Sequence, residues 1–154
     1  MSHIISSLTF FAIFCALWQT YSTAETLLYR VSNRIFYYGR TPLDWVSANE
    51  ECEKLNMVLV SVRSEQENQD LWTFIRPRVI SAWNGGYNYQ EDGQWRWIGN
   101  GEVLNYTNWS SSEPINRSSN KNCVQILRGL LGKWLSDSCT VKKRFICEFI
   151  NNKE

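Results

Sequence analysis

The stretch "EPINRSSNKNC", residues 113–123, gathers one carboxylate (Glu113), three amides (Asn116, Asn120, Asn122) and two hydroxyls (Ser118, Ser119) on what must be a loop. Such groups could ligate calcium, which takes about six to eight hard oxygens, or hydrogen-bond a sugar. Two cations, Arg117 and Lys121, sit among them and oppose the metal reading.

Other chemistries are thinly supplied. The single histidine is His3. The apolar run at residues 4–17, "IISSLTFFAIFCAL", is too short to span a bilayer, and Ser22 and Ala24 have the spacing of a signal-peptidase site. Residues 1–24 are therefore expected to be a signal peptide, the alternative being a buried N-terminal helix. Cleavage would remove His3 and Cys15, leaving no histidine for a general base, triad or metal. The other cysteines, Cys52, Cys123, Cys139 and Cys147, would form two disulfides in a short secreted chain, with three pairings open from the count alone. No CxxC pair occurs, which argues against zinc. An enzyme would have to run on carboxylates. Glu113 and Asp137 are the acids near the loop, and nothing adjacent activates them, so no catalytic residues are expected.

A net charge of +1 with no basic stripe makes nucleic acid and anionic membranes poor partners. With no second long apolar run, the expectation is a secreted, extracellular protein that does not insert in membranes. Seven tryptophans, counted from the eight in the chain by leaving out Trp18, must mostly sit in or beside one core.

The elements that would position the loop can be read in order. "RIFYYG" (34–39) is a short aromatic strand ended by Gly39. Thr41 is a candidate N-cap, with Pro42 at the first helical position. Trp45, Ala48, Cys52 and Leu55 then recur at helical spacing and predict a core-facing stripe. "VLVSV" (58–62) reads as a strand. Ser64 with Glu67 forms a capping box, Leu71, Phe74 and Ile75 a buried face, and Pro77 ends that helix. From Ser81 on, short apolar pieces alternate with Gly, Asn and Ser, including "QWRWIG", "CVQIL", "GKWL" and "RFICEFI". Two helices followed by strands give an α+β class.

This ordered set resembles a C-type lectin-like domain in its short form. "FYYG", the Trp45–Ala48–Cys52 helix, "LVSVRSEQEN", Trp83-Asn-Gly-Gly, Trp95-Arg-Trp97, Asn108-Trp109, Glu113-Pro114, Cys123-Val, Trp134, Cys139 and "FICEF" follow the family's succession. The resemblance implies two helices packed on antiparallel sheets with long loops, and disulfides Cys52–Cys147 and Cys123–Cys139. It sets the domain at residues 35–150, after a short segment at 25–34 and before a tail at 151–154.

The resemblance also implies a calcium-mediated sugar site. Its ligands are a Glu-Pro-Asn or Gln-Pro-Asp triplet, a Glu just ahead of the next cysteine, and an Asn-Asp pair after a Trp. Glu113 and Pro114 match. Ile115, Lys121 and Leu135 stand where oxygen ligands are expected, and Ser136 is a weak replacement. Shifting the pair to Ser136-Asp137 would turn each side chain to the opposite face. The accessory calcium site has Asn116 and Asn122 where acids are usual. Glu113 is thus the only ligand position retained, and no cofactor is expected, calcium being possible but not favoured. Candidate ligand-binding residues are Glu113, Asn116, Asn122 and Trp134, with Tyr87, Tyr89 and Tyr106 as further aromatic contacts. Sequons begin at Asn105, Asn108 and Asn116. Asn105 and Asn116 are the expected glycosylation sites, because Asn108 precedes a Trp that the resemblance buries. The expected partner is a glycan or glycoprotein.

Overall fold

The structure is a computed structural model and describes residues 28–78, 80–89, 92–115 and 120–149. The proposed signal peptide, Asn116 and the C-terminal tail lie outside these residues. Among them, ten elements run in order: β1 (Leu28–Val31), β2 (Arg34–Leu43), α1 (Trp45–Glu53), β3 (Met57–Leu59), α2 (Glu65–Ile75), β4 (Ser81–Tyr87), β5 (Arg96–Trp97), β6 (Cys123–Leu127), β7 (Lys133–Asp137) and β8 (Lys143–Phe149). The strands form one sheet ordered β1-β2-β8-β4-β6-β7, with β3 added on β8 and β5 on β4. Its ladders are antiparallel except one. β4 runs parallel to β8, pairing Ala82 with Arg144 and Trp83 with Phe145, so the sheet is mixed rather than purely antiparallel.

Several boundaries differ from the sequence reading. Leu28–Val31, within the segment expected to precede the domain, is a strand fully paired with β2. Gly39 does not end β2. A Cβ there would fall 2.2 Å from the Phe145 ring, so the missing side chain lets β2 and β8 approach and the strand continues to Leu43. Thr41 and Pro42 therefore belong to β2, and the N-cap of α1 is Asp44, whose side chain accepts from the Ser47 N–H at 3.0 Å. Leu55 falls beyond α1 and is exposed, whereas Trp45, Ala48 and Cys52 are buried as the spacing predicts. The segment expected as a strand at 58–62 pairs only through Met57–Leu59, although Val60 and Val62 are wholly buried.

α2 begins as read. Ser64 Oγ accepts from the Glu67 N–H at 3.2 Å, while Glu67 reaches back to the N–H of Arg63. Leu71, Phe74 and Ile75 are completely buried, and the helix ends at Ile75, before Pro77. One cluster joins these residues to Phe36, Trp97, Val124, Trp134 and Ile146. A second packs Trp45, Cys52, Trp83, Phe145 and Cys147 between α1 and β8. Disulfides link Cys52 to Cys147 and Cys123 to Cys139. No described helix is long and apolar enough to cross a membrane.

Candidate functional site

The loop ahead of β6 is held by β7. The N–H of Trp134 donates to Asn108 O, and Ser110 N–H donates to Trp134 O, each at 2.9 Å. Trp109 and Trp134 form a parallel bridge there. Trp134 itself is 0% exposed. Its indole N–H donates to Asn68 Oδ1 at 3.2 Å, and Trp97, Tyr106 and Trp109 meet its ring edge-on. It cannot touch a ligand, contrary to the expectation for it. Its role is to anchor the loop and strand that carry the site.

Glu113 is turned toward β7. Its Oε2 accepts from Ser136 N–H at 2.9 Å, Ser136 Oγ–H at 2.5 Å and Ile115 N–H at 3.1 Å. Ser136 Oγ in turn lies 3.0 Å from Ile115 N as an acceptor. The Glu113–Pro114 peptide is cis. The one retained ligand position therefore spends an oxygen on the protein itself. Ser136 supplies the donors, and it is nearly fully buried. Charge-assisted bonds of this kind are worth about 1.5–3 kcal/mol each when formed away from water.

Asp137 is equally committed. It pairs with Lys143 Nζ at 2.9 Å and accepts from Gln125 Nε2 at 3.0 Å and Ser138 N–H at 2.8 Å. Burial alone would raise its carboxyl. The hydrogen bonds from Lys143 and Ser138, with the charges of Lys143 and Lys121, outweigh burial and hold it below the ordinary value. Ile115 projects an apolar side chain, 40% exposed, and Leu135 another, half-buried. Among the described residues, no three of His, Cys, Asp and Glu cluster closely enough to hold a metal.

A cavity of about 220 Å³ opens beside the triplet, lined by Asn88, Trp95, Pro114, Ile115, Lys121 and Asn122 among others. Asn122 thus reaches the site as expected, and its carbonyl also accepts from Asn88 N–H at 2.9 Å. Asn88 and Trp95 were not singled out as site residues from the sequence. Both stand on the chain segment after β4. No local motif marks Asn88, and the Trp95-Arg-Trp97 motif marks Trp95 as part of the fold, not of the site. Tyr89 is largely exposed and stacks in a row with Tyr87 and Trp45, with centroids 6.0 and 5.8 Å apart along it. Tyr106 lies against Trp134.

Of the sequons, Asn105 is exposed. Asn108 is engaged at both ends of its amide, donating to Gly132 O at 3.1 Å and accepting from Lys133 Nζ at 2.6 Å.

Comparison with known proteins places this geometry. The family model described as the Lectin C-type domain matches residues 41–149. The hepatic lectin of Gallus gallus is 27% identical over 75% of this chain, which spans about half (54%) of that protein. The salivary C-type lectin 2 of Aedes albopictus is 30% identical over 68% of this chain and 76% of its own length. Among solved structures, the cow C-type carbohydrate-recognition domain of CD23, crystallised in the presence of a GlcNAc2Man3 oligosaccharide, superposes with a TM-score of 0.70. It shares 26% identity, and the match covers 82% of this chain and 95% of that one. With its paired cysteines, its Glu-Pro loop and its buried Trp134, the chain belongs to the C-type lectin domain family.

Proposed function

We propose that this protein is a secreted, non-enzymatic recognition module that binds carbohydrate or glycoprotein without calcium at the Glu113 loop. The carrying observation is the state of the oxygen donors. Glu113 is held by Ser136 and Ile115, Asp137 is held by Lys143, and Lys121 puts an ammonium where the family places a ligating carboxylate. Calcium needs about six to eight oxygens, and these residues do not fit it. Two like charges a few ångströms apart repel by about 1 kcal/mol in water and severalfold more where water is thinned. The relatives' names support carbohydrate as the partner class.

Export follows from the leader at residues 1–24 and from two disulfides, which persist in oxidising compartments. Asn105 and Asn116 carry glycans in this reading, and the mature chain begins at Glu25. Mass spectrometry of the protein secreted from eukaryotic cells, before and after deglycosylation, checks both points.

The decisive measurement is a glycan array run with and without chelator, beside calorimetry with calcium. The expected result is glycan binding unchanged by chelator and no calcium uptake at millimolar concentration. Stoichiometric uptake, with glycan binding abolished by chelator, would establish a calcium lectin with altered ligands and overturn the proposal.

A further inference from the structure

The geometry points to an acidic saccharide as the ligand of the cavity beside Ile115, its carboxylate or sulfate taken by the Lys121 ammonium and a neighbouring hydroxyl by Asn88 Oδ1. This inference rests on the calcium-free reading of the loop and names the class of sugar that loop selects.

Charge is the first support. Among the described residues Lys121 has no ion-pair partner. The acids on the neighbouring loop and strand make their contacts elsewhere: Asp137 feels the Lys121 charge but forms its ion pair with Lys143, and Glu113 accepts from Ser136 and Ile115. Among the described residues that line the cavity, Lys121 is the one cation and none is an acid. A neutral hydroxyl would accept a hydrogen bond from this ammonium. An anion would accept the same bond and add a charge–charge attraction of about 1 kcal/mol in water, more where water is thinned.

Asn88 is the second and independent support. It is 8% exposed and lines the cavity. Its Nδ2 donates to Gly93 O at 3.3 Å, which fixes Oδ1 as the free end of the amide. Oδ1 is buried and has no hydrogen-bond partner. A buried acceptor left unpaired costs about 1–3 kcal/mol, and a donor from a ligand recovers that. The cavity therefore offers one strong donor and one buried acceptor, matching a group that presents an anion beside a hydroxyl. The half-buried Trp95 ring and the Ile115 side chain supply apolar walls for the C–H face of a sugar. At about 220 Å³ the space is smaller than the ~300 Å³ of drug-sized sites and suits one ring.

The test is an array of immobilised glycans read with the full-length secreted protein in chelator. The probes are 6-sulfated galactose against galactose and glucuronic acid against glucose, at low and high salt. Both acidic sugars should bind about tenfold tighter than their neutral counterparts, with the difference shrinking as salt rises. Lys121→Gln should erase the preference and Lys121→Arg retain it. Lys121 is partly exposed, so neither variant should disturb the fold, and circular dichroism checks this. Equal binding of neutral and acidic sugars in chelator, or a preference unchanged in Lys121→Gln, overturns this inference while leaving calcium-free recognition standing. Acidic-sugar binding that appears only with calcium overturns the calcium-free reading and this inference with it.

Discussion

At the scale of single residues, the site is decided by where its oxygens point. In a calcium lectin the carboxylate of the Glu-Pro triplet faces a metal. Here Glu113 faces Ser136, a residue whose hydroxyl and N–H both donate to it. The carboxylate clasps the loop to β7. Glu113→Ala should therefore lower unfolding stability by about 1–3 kcal/mol with or without calcium in the buffer. Denaturant titrations in calcium and in chelator measure this, and a loss seen only in calcium would contradict it. The converse substitution set is equally direct. Ile115→Asn, Lys121→Glu, Leu135→Asn and Ser136→Asp together return four oxygen-bearing side chains and remove the cation. Calorimetry on that variant should detect calcium with a Kd of about 10⁻⁴–10⁻³ M, the range of extracellular sites, and none in the parent.

At the scale of elements, the sequence was legible wherever one side chain's periodicity or one local hydrogen bond decides the outcome. α2 is the clear case, with its Ser64 cap and its Leu71, Phe74 and Ile75 face. The start of α1 was misread because Thr41-Pro42 is a valid helix opening locally, while pairing of Leu43 with Lys143 on β8 extends the strand through it. The Arg34–Glu148 ion pair was equally hidden. Its partners lie 114 residues apart, and Glu148 also accepts from Ser61 N–H at 2.7 Å. The cavity shared by Asn88 and Lys121 escaped notice for the same reason, since it depends on β4 and β6 lying side by side. The connection from β7 to β8 carries a prediction of its own. Asp137 on β7 meets Lys143 on β8 and Gln125 on β6, and its carboxyl titrates below the usual 3.8. A folded value below the unfolded one means the stabilisation is full above the unfolded value and is lost as pH falls through the folded one. Melting curves should show wild type above Asp137→Asn by a constant margin from pH 7 to about 5, with the margin closing below about pH 4. A margin that persisted at pH 2 would refute the assignment.

At the scale of the whole molecule, β8 organises everything else. It pairs with β2, β3 and β4, and through Cys147 it is bonded to Cys52 of α1. That disulfide closes a loop of 95 residues, while Cys123–Cys139 closes one of 16. On the chain-entropy account the long staple contributes about 4–5 kcal/mol and the short one about 3. Domains of this size are stable by only about 5–15 kcal/mol in total. The two bonds also do different things. The first pins α1 across the core, where Cys52 and Cys147 are wholly buried beside Trp45 and Trp83. The second pins the start of β6, next to the Glu113 loop, to the turn whose Cys139 carbonyl accepts from the N–H of Trp45. The double variant Cys52→Ala/Cys147→Ala should therefore lose most of its cooperative unfolding transition. Cys123→Ala/Cys139→Ala should keep that transition at a lower midpoint while loosening the Lys121 and Asn122 segment, read as faster amide exchange there than in α2. If removing the short staple cost more stability than removing the long one, the core would be held from the site end of the molecule rather than from β8.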